Sequence, residues 1–309
     1  MTPWELRHVP FKYQLSDWTL FSCALPLQCR SATLLGAPIP ASLPPDAERL
    51  PGSEGFMIRA LPLEERLPPL TRTGDYLRYV PLQYEHCYID LTLGFERYQE
   101  KFSSKTRSTI KRKIRKYAEH CGGEIPWKIY REPAQMREFF RLAREVSAVS
   151  YQERLLDAGL PDSEDYIREA EARAANGTVR AYILFDGDRP VSYLYCPIEN
   201  DVLIYAYLGY DPGYMKHSVG TVLQWLALES LFAEGGFKAF DFTEGQSDHK
   251  RLFSTHQMLR AHVFMVRASL RNAAVVRSHH LMNRFSNWLG NTLDKLGLKA
   301  RIKRLIRFK

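Results

Sequence analysis

No stretch of this 309-residue chain comes near the roughly eighteen consecutive apolar residues that a helix needs to cross a bilayer. The opening MTPWELRHVPFKYQ also lacks the apolar core of a secretory signal, so the body is expected in the cytoplasm. Cysteine is scarce and scattered. Cys23, Cys29, Cys87, Cys121 and Cys196 are odd in number and form no CxxC pair, which argues against a disulfide framework or a zinc site and fits reduced thiols. The nine histidines show no HExxH or comparable spacing, and no metal is expected. A GxSxG elbow, a Walker A loop and a GxGxxG fingerprint are all missing, so a serine hydrolase and the common nucleotide-binding loops lose their usual support. Periodic repeats of the solenoid kind are absent as well.

What is present is an ordinary globular composition, 45% hydrophobic and 25% charged, in a length that allows one large or two medium domains. The net charge of +8 is local in origin. Eight Lys/Arg and no acid lie between Lys101 and Lys116, and seven more, again without an acid, between Lys295 and Lys309. Without these two patches the remainder is mildly acidic, so a whole-surface preference for polyanions is not implied.

Residues Cys23–Leu70, with GAPIPASLPPDAERLPG, read as turns and short extended pieces. Strands at Gly55–Leu61 and Tyr76–Leu91 complete an irregular, strand-containing front region. FERYQEKFSSKTRSTIKRKIRKYAEHCGG reads as a helix stopped at Gly122-Gly123, with Phe102, Ile110, Ile114 and Tyr117 opposite a wide cationic face. A strand at Trp127–Tyr130 precedes a helix built on Met136, Phe139, Phe140, Ala143 and Val146. A third helix is capped by Asp162 or Ser163 and ends at Asn176-Gly177.

Sheet follows. VRAYILF and PVSYLYCPI flank DGDR, a hairpin signal. A third strand, VLIYAYLGY, runs through a glycine-bearing turn into a helix over Ser218–Glu234, and FKAFDF comes next as a fourth strand. Strand, helix and strand with short joints predict a parallel pair with a right-handed crossover. The expected class is therefore α+β, a meander feeding one parallel crossover. In the tail from Ala268, Leu281, Phe285, Trp288, Leu289, Leu293 and Leu296 repeat at helical spacing among basic residues.

The turn in YLGYDPGYMKHSVGTVLQW holds more small and basic residues than a change of direction requires. A helix N-terminus presents unsatisfied N–H groups and a partial positive charge, a ready anion site wherever small residues admit the guest. Ser218 and Gly220 supply that access, and Lys216 and His217 add donors, so a phosphate or pyrophosphate is the natural guest. The plainer reading is that Ser218 only caps the helix and Gly220 only packs against a strand.

This order of elements resembles the GNAT acyltransferase superfamily. CYIDL followed by KTRSTIKRKIRK, then SVG opening the helix, then FDFTEGQSDHKRLF resemble more narrowly the CelD/BcsL type, relatives of the Fem-type peptidyltransferases, over roughly Gly55 to Thr255. Asp241, Phe242, Gly245, Lys250 and Phe253 match that branch after its last strand. Val219 stands for its usual proline, His249 for a tyrosine, Ser247 for an acid, and Lys216 for a glycine common in GNAT turns. The resemblance implies a GNAT fold whose parallel strands splay apart. It also implies acyl-CoA as co-substrate and N-acyl transfer to an amine, such as an amino sugar on the way to an envelope or exopolysaccharide. The coenzyme would lie against Leu208, Tyr214, Lys216, His217, Ser218, Val219, Gly220 and Thr221.

Such a transfer needs a base, an oxyanion donor and an acid for the leaving thiolate. An unpaired N–H near Leu208–Tyr210 would polarise the thioester. Asp241 and Glu244 are the candidates for the base, Lys250 for the oxyanion or a substrate phosphate, and His249 or Tyr210 for the acid. Each has a plain alternative: a turn hydrogen bond for Asp241, a surface position for Glu244, solvation for Lys250, and core packing for Tyr210 and Tyr214. Arg107, Lys111 and Arg251 are candidates to contact substrate phosphates.

The cationic helix leaves three partners open beside a merely solvated face: small-molecule phosphates, an acyl carrier protein, and tRNA, which Fem-type relatives use in aminoacylated form. No aromatic-interleaved RNA-reading motif accompanies it, which favours the first two. Residues 281–309 read either as an interfacial helix on anionic lipid, with a lipid-linked acceptor, or as a helix docked on the body. The rivals to the acyl-CoA reading are thus a Fem-like aminoacyl-tRNA-dependent transferase and a non-catalytic peripheral membrane protein with a degenerate GNAT fold. The expected division is 1–95, 96–267 and 268–309, the last a basic amphipathic tail.

Overall fold

In ELRHVPFKYQL, Val9, Phe11 and Tyr13 alternate with exposed neighbours, and that period of two makes β1 (Glu5–Leu15) a strand with one buried face. It forms an antiparallel hairpin with β2 (Trp18–Ser31). The computed structural model describes residues 4–15, 18–35, 49–150, 159–245 and 247–295. Two compact units emerge, Met1–Glu85 with Met258–Lys309, and His86–Gln257. The boundaries differ from those expected. The strand at the end of the expected middle domain returns to the first unit, and the tail helix belongs with that unit instead of standing as a third segment.

In the first unit, β2 runs parallel to β3 (Gly55–Pro62), which pairs antiparallel with β12 (His256–Arg267). β4 (Leu70–Thr73) pairs with the start of β5 (Tyr76–Asp90). Helix α7 (Leu270–Lys295) lies on β1, with Val276 buried beside Phe11, Leu27, Tyr79 and Val266. His279 enters that core through Tyr79 Oη at 2.7 Å. The front region is therefore not irregular, because β1 and β2 are 11 and 14 residues long. Prolines obscured it in the sequence. Pro10 lies on the outermost strand, where proline is tolerated because one edge of the strand has no ladder.

In the second unit the strand order runs from the end of β5 through β11 (Ala239–Asp241), β9 (Val202–Ile204), β8 (Arg189–Glu199) and β7 (Val179–Asp186) to β6 (Trp127–Tyr130). β9 and β11 are parallel, and the other neighbours are antiparallel. The chain is of the expected α+β class, and the second unit is a meander feeding one parallel crossover. The long cationic helix divides into α1 (Phe95–Glu100) and α2 (Ser104–His120), because the Ser103 hydroxyl accepts from Thr106 N and caps a new start. α3 (Pro133–Val149) and α4 (Glu164–Ala175) follow, the latter capped by Ser163. The crossover helix α5 (Val219–Glu234) is apolar on nearly every side and contacts both the sheet and α1 and α2. Its Trp225 meets Phe95, Phe102 and Phe253, the last on α6 (Asp248–Phe253), at ring separations of 5.6, 5.8 and 6.4 Å.

Candidate active site

The third strand of the meander is not continuous. Ile198 pairs with Leu203, but Tyr195 pairs with Tyr207, so one extra residue is accommodated near Tyr205-Ala206. This is a β-bulge. Pro197 of β8 supplies no N–H to the ladder at that level. Before the bulge, β9 keeps its parallel partner, and Tyr205 N still donates to Asp241 O at 2.8 Å. Beyond it, β10 (Tyr207–Tyr210) pairs with β8 alone, while Phe242 N turns to Cys87 O on β5. A wedge therefore opens between β10 and the end of β11.

Asp211 N donates to Val191 O, which fixes the alternation of the β8–β10 ladder. Gly209 and Tyr207 then face β8, and the N–H groups of Leu208 and Tyr210 face the wedge. Those same residues border α5. A Cβ on Gly220 would stand 3.3 Å from Tyr210 Cδ1 and 3.6 Å from Leu208 Cδ2, so only glycine lets the helix start approach this strand without displacement.

The link from β10 to α5 is a 3₁₀ turn over Pro212–His217, begun by Asp211, whose Oδ1 accepts from Gly213 N at 2.8 Å. Arg189 holds the other carboxylate oxygen at 2.6 Å. Ser218 follows with φ 55° and ψ 37°, a left-handed conformation that costs a serine free energy, and its side chain makes no cap hydrogen bond. The capping reading of Ser218 thus fails. Its amide donates to Met215 O, and Thr221 and Val222 donate back to Ser218 O. Among the described residues, this leaves the amides of Val219 and Gly220 at the head of the helix without a backbone acceptor. They border a cleft of about 380 Å3 lined by Tyr205, Leu208, Tyr210, Met215, Ser218, Val219, Gly220, Thr221 and His249.

Of the residues expected at the site, Leu208, Tyr210, Ser218, Val219, Gly220, Thr221 and His249 come together in this cleft. The others do not line it. Tyr214 Oη donates to Asp186 Oδ2 at 2.6 Å. That bond, with help from His120, holds the Asp186 carboxyl below its usual range against the effect of burial. His217 packs against His120 at a tilt of 36°, ring centres 4.3 Å apart, and burial followed by the nearby His120 and Lys116 lowers its pKa. Lys216 contributes a carbonyl, which accepts from Lys116 Nζ at 3.2 Å.

Asp241 and Lys250 are engaged in the fold. Asp241 Oδ1 meets His86 Nε2 at 2.6 Å and accepts from Thr243 N at 2.7 Å, shaping the turn after β11. Lys250 Nζ donates to Glu244 O at 2.7 Å, and burial lowers its pKa. Glu244, Lys111 and Arg251 are exposed, and Arg107 is half-buried outside the cleft lining. Asp241→Ala would remove the acceptor shared by the buried His86 Nε2 and the half-buried Thr243 N. It is expected to cost about 2–4 kcal/mol in urea unfolding, and a loss below about 0.5 kcal/mol would contradict the structural role.

Sequence reading missed Gln224, a fully buried amide on α5 whose Oε1 accepts from His249 Nε2. A lone glutamine within VLQWLALESLF, one turn past Gly220, was the available signal, since a buried amide needs a partner. Burial, then the charges of Lys113 and Lys250, lower the His249 pKa to about 4. The imidazole is therefore neutral near pH 7. On α2, the charge of Lys113 acts on His249 and that of Lys116 on His217.

Residues 104–251 match the family described as an acetyltransferase (GNAT) domain. That span contains the bulge, the wedge, the turn and all of α5. The fold is of the GNAT type. Comparison with curated proteins gave no match. Among solved structures, similarity extends to the C-terminal DUF2156 domain of a protein named as a lysylphosphatidylglycerol synthetase from Agrobacterium fabrum. The identity is 12%, over 76% of this chain and 72% of that one, with a TM-score of 0.48. L-PGS from Bacillus licheniformis is similar at 14% identity, over 74% and 73% of the two chains, with a TM-score of 0.44. FemX is similar at 9% identity, over 70% and 72%, with a TM-score of 0.44.

Proposed function

We propose that the protein is an N-acyltransferase that takes its acyl group from an acyl-CoA thioester and delivers it to an amine. One observation carries this reading: the unpartnered amides of Val219 and Gly220 open on a cleft beside the wedge where β10 departs from β11. A diphosphate fits the helix head, since N–H groups and helix dipole both favour an anion there. The rest of the lining is mostly uncharged, which suits a neutral pantetheine arm better than a polyanion.

In this account the amine nitrogen forms a bond to the thioester carbonyl carbon as the carbon–sulfur bond breaks. The amine gives up one proton and the thiolate gains one. The N–H groups of Leu208 and Tyr210 face the position where negative charge develops on the carbonyl oxygen, and oriented donors of this kind are commonly worth about 3 kcal/mol each. Tyr210, in the cleft lining, is the candidate to protonate the sulfur. The neutral imidazole of His249 is the lining's one histidine and the candidate to accept and pass on the amine proton. Asp241 and Lys250 support the loop after β11 through their hydrogen bonds and stand outside the cleft lining. The acceptor carried forward from the family resemblance is an amino sugar of a surface polysaccharide precursor, and the setting is the cytoplasm.

A second reading, aminoacyl-tRNA-dependent transfer, draws on the exposed α2 cations Lys105, Lys111, Arg112 and Arg115. Thermal unfolding with coenzyme A separates the two. At a hundred times its Kd the ligand is expected to add about 2.7 kcal/mol, a shift of several degrees. Absence of any shift with coenzyme A and its thioesters, together with retention on tRNA at moderate salt, would replace the first reading by the second.

A further inference from the structure

Exposed apolar surface in the first unit gathers where the β1–β2 hairpin meets α7. Tyr13 joins them, with its hydroxyl 2.8 Å from Ser278 Oγ and donating to Val275 O at 3.1 Å. Its ring stacks on Phe21, centres 4.3 Å apart. Residues paired across two strands share a sheet face, so Phe21, opposite Tyr13, lies on the α7 side of the hairpin, and Trp18, opposite Leu15, follows past a register shift at the hairpin's end. Trp18 is nevertheless 62% exposed and Phe21 57%. On α7, Leu281, Phe285 and Trp288 recur at helical spacing and are 62%, 50% and 60% exposed. The Phe285 and Trp288 rings are 5.9 Å apart. The helix has already committed its inner face, through Asn272, Val276 and His279, to the core of the unit. Five large apolar side chains in one neighbourhood exceed the single scattered residues normal on a surface.

Cations predominate along α7, and the acids adjoining the stripe in sequence are Asp17, before Trp18, and Asp294, near the end of the helix. No acid occurs from Ala268 to Gly290, while Arg271, Arg277 and Arg284 are exposed. The sequence after Lys295 carries six more Lys/Arg in residues 296–309 and again no acid. Among the described residues, no helix is long and apolar enough to cross a membrane. Exposed Trp, Phe and Leu on one side of a helix, with arginines beside them, is the composition that lies in the plane of a bilayer interface. The surplus of cations complements anionic headgroups.

We propose that Leu281, Phe285 and Trp288 of α7, with Trp18 and Phe21 of the hairpin, form a docking surface for an anionic phospholipid bilayer. This proposal does not depend on acyl transfer. Its test is sedimentation of the full chain with vesicles of phosphatidylcholine alone and of phosphatidylcholine with about one-third phosphatidylglycerol. Binding is expected to be at least about tenfold stronger to the anionic vesicles and to weaken as salt rises. Phe285→Ser with Trp288→Ser, and separately Trp18→Ser with Phe21→Ser, should each cut binding by about tenfold without changing the thermal melt. Arg277→Glu with Arg284→Glu should abolish the preference for anionic lipid. Absence of vesicle binding, or binding indifferent to the aromatic substitutions, would overturn the proposal. So would a concentration-dependent dimer, seen by light scattering, that those substitutions dissociate while vesicles are ignored.

Discussion

Gly220→Val is expected to eliminate stabilisation by coenzyme A in a protein that still folds. A single Cβ at this position already meets Tyr210 Cδ1 at 3.3 Å and Leu208 Cδ2 at 3.6 Å. Valine adds two methyl groups beyond that Cβ, at the mouth of the cleft and beside the amides proposed to take the diphosphate. Gly220 has no positive φ, so helix propensity itself sets no penalty against the change. The ligand-dependent gain, about 2.7 kcal/mol at a hundredfold excess over Kd, should fall to nearly zero. Gly220→Ala should retain part of it, because displacing the Tyr210 ring by a few tenths of an ångström relieves the contact. An unchanged thermal shift in the valine variant would show that the ligand binds elsewhere.

The second large effect concerns pH. Burial first, then Lys113 and Lys250, place the His249 pKa at about 4 in the folded chain, against about 6.5 for an unperturbed histidine. The unfolded chain therefore takes up the proton first as pH falls. The stability linked to His249 is complete above about pH 6.5, declines through the interval, and is exhausted below about pH 4. The full difference amounts to at most ~3 kcal/mol. His217, His279 and His280 are depressed as well and add a background of the same sign. The informative quantity is thus the difference between wild type and His249→Gln in urea unfolding at pH 7 and pH 4.5. The variant should lose clearly less stability on acidification, and parallel losses would contradict the buried, neutral imidazole.

The crossover was legible in the chain because each of its parts has a local signature. DGDR marks the β7–β8 hairpin, and the apolar run after Gly220 marks a helix enclosed on all sides. Four of the turn residues expected beside an anion, Ser218 to Thr221, do border the cleft. The bulge near Tyr205-Ala206 was not legible, because VLIYAYLGY is a good strand sequence throughout. What interrupts it is the register against β8, a property of two segments together. Asp241 and Lys250 show the same limit from another side. Their motif resembles a catalytic one, yet their partners, His86, Thr243 and the Glu244 carbonyl, are fixed by tertiary folding. The front hairpin was obscured by Pro10, which an outer strand accepts, and the seat of the tail helix on it by the distance in sequence between Tyr13 and Ser278.

The role of the helix head can be read directly from backbone amide resonances of isotopically labelled protein during a coenzyme A titration. The Val219 and Gly220 N–H signals are expected to move most, downfield as they donate to phosphate oxygen, with Leu208 and Tyr210 following when a thioester is supplied. Saturable binding that leaves Val219 and Gly220 unmoved, or no binding at all, would contradict it.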